Sequence, residues 1–97
     1  MTRIIISDQA EADLIDLWLY IAEDSIDAAD RFVSQIHEKC RLLGEAPEMG
    51  RERAEIRKGI RSFPVGNYLI FYRIGDKSIE VARVISGLRD ILSLFRR

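Results

Sequence analysis

The feature of this sequence that most restricts its fold is an apolar stretch, residues 61–90, which two glycine-containing dipeptides divide into three parts. Gly66-Asn67 separates the first part from the second, and Gly75-Asp76 separates the second from the third. Dipeptides of this kind supply the positive φ angles that a two-residue hairpin turn requires. Because β-branched and aromatic residues dominate the flanks, the stretch is predicted to form three consecutive strands of a meander.

The N-terminal run RIIIS, residues 3–7, predicts a further strand. Three adjacent isoleucines favour burial on both faces, so we expect this strand to lie inside the sheet rather than at its edge. Ser7 or Asp8 comes next, and either side chain has an oxygen that can accept a free N–H of a helix's first turn. A helix is therefore expected to begin at this point.

Two amphipathic helices are predicted between that strand and the meander. Apolar residues recur at helical spacing from about Gln9 to Glu23, and again from about Ile26 to Leu43. Ser25 or Asp27 is positioned to cap the second helix, and Gly44 to end it. Since only a few residues connect the two helices, we expect an antiparallel hairpin whose shared apolar face covers the sheet.

The order of these elements predicts an α+β fold, because helices and strands are grouped separately along the chain. Residues 45–59 are expected to form a basic loop, and residues 91–97 a short helix or extended tail that docks through its apolar side chains. The predicted architecture is a single domain, residues 1–97. It has an N-terminal strand and an antiparallel helix hairpin packed on a mainly antiparallel sheet of about four strands.

Composition is typical of a globular domain, with 47% hydrophobic and 32% charged residues. The single cysteine, Cys40, cannot form an internal disulfide, and no apolar run is long enough for a signal peptide or a membrane span. A cytoplasmic location is expected, with no membrane partner.

Charge is distributed unevenly between the two halves of the chain. Residues 1–50 contain four basic and eleven acidic residues, a charge of −7, whereas residues 51–97 contain eleven basic and five acidic residues, a charge of +6. Such asymmetry is typical of a C-terminal half that binds an acidic or nucleic-acid partner. The alternative is that the two halves attract each other within one fold, and the sequence leaves both open.

No group of residues points to catalysis or to a cofactor. The single histidine, His37, has only Cys40 near it as a potential ligand, and no nucleophile, phosphate-binding or zinc motif occurs. The acidic residues Glu11, Asp13 and Asp16 lie early in the first helix, where the helix dipole favours negative charge. We predict no catalytic residue, no metal and no cofactor.

Four arginines interrupt the apolar meander: Arg61, Arg73, Arg83 and Arg89. Alternation along a strand places Arg83 on the same face as Ile79, Val81 and Ile85. An arginine in such a row needs a carboxylate, a phosphate or a route to solvent. Two interpretations remain open: an intramolecular pair with Glu80, Asp76 or an acidic helix residue, or a basic sheet face that docks an acidic partner segment or RNA.

At these residues the sequence resembles the ParE branch of the RelE/ParE toxin superfamily. The resemblance covers nearly the whole chain in the right order, at Ala12–Ala22, Ala28–Phe32, Pro47–Arg51, Ile60–Arg73 and Val81–Asp90. It implies a helical hairpin on a mainly antiparallel sheet. It also implies the toxin of a type II toxin–antitoxin pair, neutralised by a ParD-like antitoxin whose acidic C-terminal segment wraps the toxin.

The superfamily divides by mechanism. RelE-like members cut mRNA on the ribosome, using basic residues and usually a tyrosine for proton transfer and transition-state stabilisation. The resemblance places those roles on Ile60, Ser62, Leu69, Arg89 and Phe95, and of these Arg89 alone matches in type. ParE-like members instead poison DNA gyrase, an activity that needs a binding surface and no catalytic residue.

The resemblance therefore favours a gyrase-directed toxin. A RelE-like ribosome-dependent mRNA endonuclease and an antitoxin-binding module without toxicity are the alternatives. We expect no sequence-specific nucleic-acid binding. Aromatic and arginine side chains are favoured interface anchors, and the candidate partner-binding residues are Trp18, Tyr20, Arg57, Arg61, Arg83 and Arg89. For Trp18, simple packing in the core is the alternative.

Overall fold

The protein folds as two helices on one face of a five-stranded sheet. The structure is a computed structural model, and it describes residues 2–88 and Phe95. The elements in chain order are β1 (Arg3–Ile6), α1 (Asp8–Ala22), α2 (Ile26–Glu45), a short 3-10 helix (Pro47–Met49), β2 (Arg51–Glu52), β3 (Ile60–Val65), β4 (Tyr68–Gly75) and β5 (Ser78–Ser86). The predicted α+β architecture is confirmed, with β2 as an additional short strand.

The sheet has the strand order β1-β5-β4-β3-β2. The pairs β2–β3, β3–β4 and β4–β5 are antiparallel, as the predicted meander requires, whereas β1 runs parallel to β5. The expectation that β1 lies inside the sheet is wrong, because it forms an edge. Its isoleucines are only partly covered, and Ile4 and Ile5 remain 36% and 40% exposed.

Serine caps begin both helices. Ser7 Oγ accepts the Ala10 N–H at 3.0 Å, and Ser25 Oγ accepts the Ala28 N–H at 3.1 Å. Each bond satisfies an N–H that the first helical turn leaves without a backbone acceptor. Serine rather than the neighbouring aspartate therefore fills each cap position.

The prediction that Gly44 ends α2 is wrong, because the helix continues to Glu45. A Cβ atom on Gly44 would lie 3.2 Å from the side chain of Ile4, so the glycine lets β1 approach the helix closely. The helix ends where Pro47 disfavours helical backbone in the residue before it.

The second hairpin turn also differs from the expectation. Gly75 is the last residue of β4 and pairs with Ser78, so the two turn residues are Asp76 and Lys77. Lys77 takes the positive φ, 59°, that the sequence assigned to the glycine. In the first turn, Gly66 has φ 58°, as predicted.

A β-bulge separates the side chains of β5 into two groups. Val81 pairs with Tyr72 and Arg83 with Phe71, so Ala82 is an extra residue in β5. The prediction that Ile79, Val81, Arg83 and Ile85 share one face is therefore wrong. Ile79, Val81 and Val84 pack under the helices, whereas Ile85 belongs to the opposite face.

Two apolar clusters cover the two faces of the sheet. The helix-facing cluster is centred on buried residues of both helices and of β4 and β5, among them Leu14, Leu17, Ile36, Leu43, Ile70 and Tyr72. A smaller cluster on the second face contains Ile60, Phe71, Ile85 and Phe95. The predicted helix or extended tail at residues 91–97 lies outside the described residues, apart from Phe95. Neither described helix is long and apolar enough to cross a membrane.

Candidate interaction surface

The basic edge of the sheet, formed by β2, the loop 53–59 and β3, is built around Arg61. Its guanidinium donates to the Gly50 carbonyl oxygen at 2.7 Å and to the Glu48 carbonyl oxygen at 3.3 Å. It also pairs with Glu52 across the β2–β3 ladder at 3.1 Å. Arg61 thus connects β2 and the preceding turn to the rest of the sheet. Its partner Glu52 is exposed, so this ion pair lies at the protein surface.

Tyr72 holds the same turn from inside the protein. Its hydroxyl donates to the Pro47 carbonyl oxygen at 2.5 Å and accepts the Gly50 N–H at 2.8 Å. Burial is the main reason why the pKa of Tyr72 lies above its ordinary value of 10.0. A Cβ atom on Gly50 would clash with the phenol, so this turn requires glycine.

Two further arginines lie over aromatic rings on the second face. Arg53 pairs with Glu55 at 2.7 Å, donates to Ser62 Oγ at 3.0 Å and lies 5.9 Å from the Phe71 ring centroid. Arg57 donates to the Phe95 carbonyl oxygen at 2.6 Å and lies 5.7 Å from that ring. Such cation–π contacts allow charged groups to cover an apolar cluster.

Arg83 lies at the opposite edge and binds Asp13 of α1. Its Nε and a terminal nitrogen donate to the two carboxylate oxygens at 2.8 and 3.0 Å. One of those oxygens also accepts the Val84 N–H at 2.9 Å. The hydrogen bond to Asp13 is the largest cause that raises the pKa of Arg83. The side chains of Arg83 and Asp13 are only 15% and 8% exposed.

The intramolecular interpretation is therefore confirmed for Arg83, and for Arg73, which pairs with Glu80 at 3.1 Å. Within residues 2–88, Arg83–Asp13 is the one ion pair that joins the acidic and basic halves of the chain. Attraction between the halves thus explains Arg83. The basic edge has its own pairs with Glu52 and Glu55 and keeps an excess of positive charge.

The outer face of α1 is apolar and exposed. Ile15, Leu19 and Tyr20 are 60%, 55% and 71% exposed, and Ile26 at the start of α2 is 59% exposed. Trp18 is half-buried, and its indole N–H donates to Asp30 at 2.8 Å, which joins the two helices. Since soluble monomers seldom expose adjacent apolar side chains on one helix face, this face is a candidate docking surface.

The candidate residues fall into separate groups. Trp18 and Tyr20 lie on α1, Arg57 and Arg61 lie at the basic edge, and Arg83 joins β5 to α1. Arg89 lies outside the described residues. Sequence reasoning left an acidic helix residue open as the partner of Arg83 but did not single out Asp13. Its position three residues after Ala10, which places it on the buried side of α1, was the available signal.

Neither potential metal ligand singled out in the sequence lies in a cluster. His37 is exposed, whereas burial raises the pKa of the Cys40 thiol to about 11. In the part of the chain that the structure describes, no three His, Cys, Asp or Glu side chains are grouped as metal ligands.

The family model described as "ParE toxin of type II toxin-antitoxin system, parDE" matches residues 4–91. The chain belongs to this ParE toxin family. A relative named Toxin ParE1 from Caulobacter vibrioides is 30% identical over 81 residues, covering 82% of this chain and 83% of the relative. Another Toxin ParE1, from Mycobacterium tuberculosis, is 28% identical over 92 residues and covers 93% of this chain and 94% of the relative.

A solved structure of similar fold is described as a chromosomal ParDE toxin–antitoxin system from P. aeruginosa. It superposes with a TM-score of 0.76, covering 89% of this chain and 96% of that one, at 21% sequence identity. The fold predicted from the ParE resemblance is thus shared with a structure from such a system.

Of the five positions to which the resemblance assigns the RelE chemistry, four lie together in this ParE-family chain, and Arg89 is outside the described residues. Ile60 and Ser62 are buried in β3, at 1% and 4% exposure, and Phe95 is 9% exposed. Leu69 packs against the cluster that Ile60 and Phe95 form. These side chains form the apolar covering of the second face of the sheet, where Ser62 Oγ already accepts a hydrogen bond from Arg53.

Proposed function

We propose that this ParE-family toxin acts by binding DNA gyrase, without a catalytic residue of its own, and that a ParD-like antitoxin neutralises it. The observation that supports a binding mechanism most strongly is the apolar second face. General acid–base catalysis requires titratable side chains within hydrogen-bond reach of the substrate. Ile60, Leu69 and Phe95 have no such group, and they pack against one another instead.

The basic edge supports an acidic antitoxin segment. Arg57 and Arg61 are oriented by backbone carbonyls; Arg57 forms no ion pair among the described residues, whereas Arg61 pairs with the exposed Glu52. Arg51 and Lys58 are exposed beside them. Pre-oriented arginines lose less side-chain entropy when they bind carboxylates, so this edge is suited to an acidic peptide.

Two assays on the purified chain test the mechanism. We expect inhibition of gyrase supercoiling and no cleavage of mRNA when toeprinting is performed on translating ribosomes. Unchanged supercoiling at saturating toxin would refute the gyrase target, and ribosome-dependent cuts would establish the RelE-like alternative. Normal growth after induction of the chain alone would instead identify an antitoxin-binding module without toxicity.

A further inference from the structure

A groove of about 190 Å³ lies between α1 and the second half of β5. Asp16 and Tyr20 line it from α1, Tyr68 from β4, and Val84 and Ser86 from β5. The groove adjoins the exposed apolar face of α1 described above, since Tyr20 belongs to both. It is separated from the basic edge by the width of the sheet.

The groove exists because β1 is shorter than β5. Pairing between these strands ends at Ile6 and Val81, so the rest of β5 pairs with β4 on one side and has no strand on the other. Side chains of α1 and of its cap residue form hydrogen bonds with some of the backbone groups that this strand edge leaves unpaired. Ser7 Oγ donates to the Ala82 carbonyl oxygen at 3.0 Å, and Asp13 accepts the Val84 N–H.

Backbone alternation determines which groups of β5 point into the groove. The Gly87 N–H donates to the Asn67 carbonyl oxygen at 2.8 Å, so the backbone N–H and carbonyl of Gly87 face β4. In an antiparallel strand the N–H and carbonyl of one residue lie on the same side, and that side alternates from residue to residue. The backbone N–H and carbonyl groups of Val84 and Ser86 therefore face away from β4. The carbonyl oxygens of Val84 and Ser86 are thus directed away from β4, to the side on which Asp13 of α1 accepts the Val84 N–H.

The chemistry of this groove is that of a cation receptor. Asp16 forms no ion pair with any residue of the described chain, and α1 carries four acidic side chains and no lysine or arginine. Two carbonyl oxygens and a carboxylate provide acceptors, and the exposed ring of Tyr20 provides a π face. A guanidinium offers several donors in one plane and also stacks on aromatic rings, which a lysine ammonium does less well.

We propose that this groove binds an arginine side chain of the antitoxin, an inference that rests on the proposed neutralisation by an antitoxin. A second copy of this chain is disfavoured, because pairing two α1 faces would bring their acidic side chains together. The basic edge and the groove are three strand spacings apart, about 14 Å. The antitoxin segment thus carries an acidic stretch and, about four or more extended residues away, an arginine.

The direct test is a titration of the isotope-labelled chain with N-acetylarginine amide, followed by amide chemical shifts. We expect saturable shifts at Asp16, Tyr20 and Ser86, and none with the neutral citrulline counterpart. Asp16→Asn should weaken binding roughly fivefold or more, as expected for loss of a charged hydrogen bond. Glu11→Gln is the matched control, since it removes the same charge from the same helix outside the groove, and it should leave affinity unchanged.

Absence of saturable shifts would overturn the inference. So would equal binding of the citrulline compound, or an equal loss of affinity in Asp16→Asn and Glu11→Gln. A second measurement uses the complex with the co-expressed product of the neighbouring reading frame. Weaker binding by Asp16→Asn than by Glu11→Gln would support the arginine contact. An intact complex unaffected by Asp16→Asn would refute this inference alone, whereas no complex at all would refute the antitoxin assignment.

Discussion

Replacing Asp13 with alanine should be among the most destabilising single changes in this chain. The carboxylate accepts three hydrogen bonds, two from Arg83 and one from the Val84 N–H. Its removal leaves a largely buried guanidinium and a buried backbone N–H without acceptors. Breaking one partner of a buried pair costs about 3–5 kcal/mol, a large share of a total stability on the order of 5–15 kcal/mol.

The reverse change, Arg83→Ala, should cost less, about 2–3 kcal/mol, because Asp13 keeps its hydrogen bond from the Val84 N–H. The double variant should lose little more than Asp13→Ala alone. The two residues would then show a coupling energy of about 1.5–3 kcal/mol. Urea denaturation followed by circular dichroism measures each free energy of unfolding.

The chain supplies a matched control in the pair of Arg41 with Glu38. Arg41 also donates two hydrogen bonds to one carboxylate, but the two side chains are 52% and 55% exposed. Glu38→Ala should therefore cost less than about 1 kcal/mol. If Asp13→Ala costs no more than Glu38→Ala, burial does not determine the strength of this pair and the reasoning is wrong.

Three further predictions concern the helix hairpin and the turn before β2. Burial raises the pKa of Cys40 from 9.0 to about 11, so the unfolded chain loses this proton first as the pH rises. Between pH 9 and 11 the free energy of unfolding of the natural chain should fall, relative to that of Cys40→Ala, by up to roughly 2–3 kcal/mol. Parallel pH profiles of the two proteins would contradict this. Tyr72→Phe should lower the free energy of unfolding, measured by urea denaturation, by about 1–3 kcal/mol, because two backbone groups lose their hydrogen-bond partner. A cost below about 0.5 kcal/mol would contradict the role assigned to the hydroxyl. Tyr20→Ser should change the free energy of unfolding by less than about 0.5 kcal/mol but weaken binding to the co-expressed antitoxin, measured by titration calorimetry. Unchanged affinity would exclude Tyr20 from the interface.

Local patterns in the sequence predicted most of the elements correctly. Helical spacing and a choice of two cap residues located both helices to within two residues, because these signals act within one turn of chain. The Gly66-Asn67 turn was equally local. By contrast, Gly44 was misjudged because its role is set by Ile4, a residue distant in sequence that fills the space beside the helix.

The partly wrong predictions share this dependence on distant contacts. The position of β1 at an edge follows from how many strands the rest of the chain provides, which hydrophobicity alone does not determine. The bulge at Ala82 moved Arg83 out of the row that alternation predicted. Asp13 could have been assigned from its spacing, but its partner lies 70 residues away in sequence, and only the folded chain brings the two together.

The most direct test of the proposed function is an assay for DNA cleavage by gyrase in the presence of the purified toxin. We expect double-strand breaks, revealed after denaturation of the enzyme, to increase with toxin concentration and to disappear when the antitoxin is added first. Breaks that remain at the level of gyrase alone, across toxin concentrations that arrest growth in cells, would contradict it.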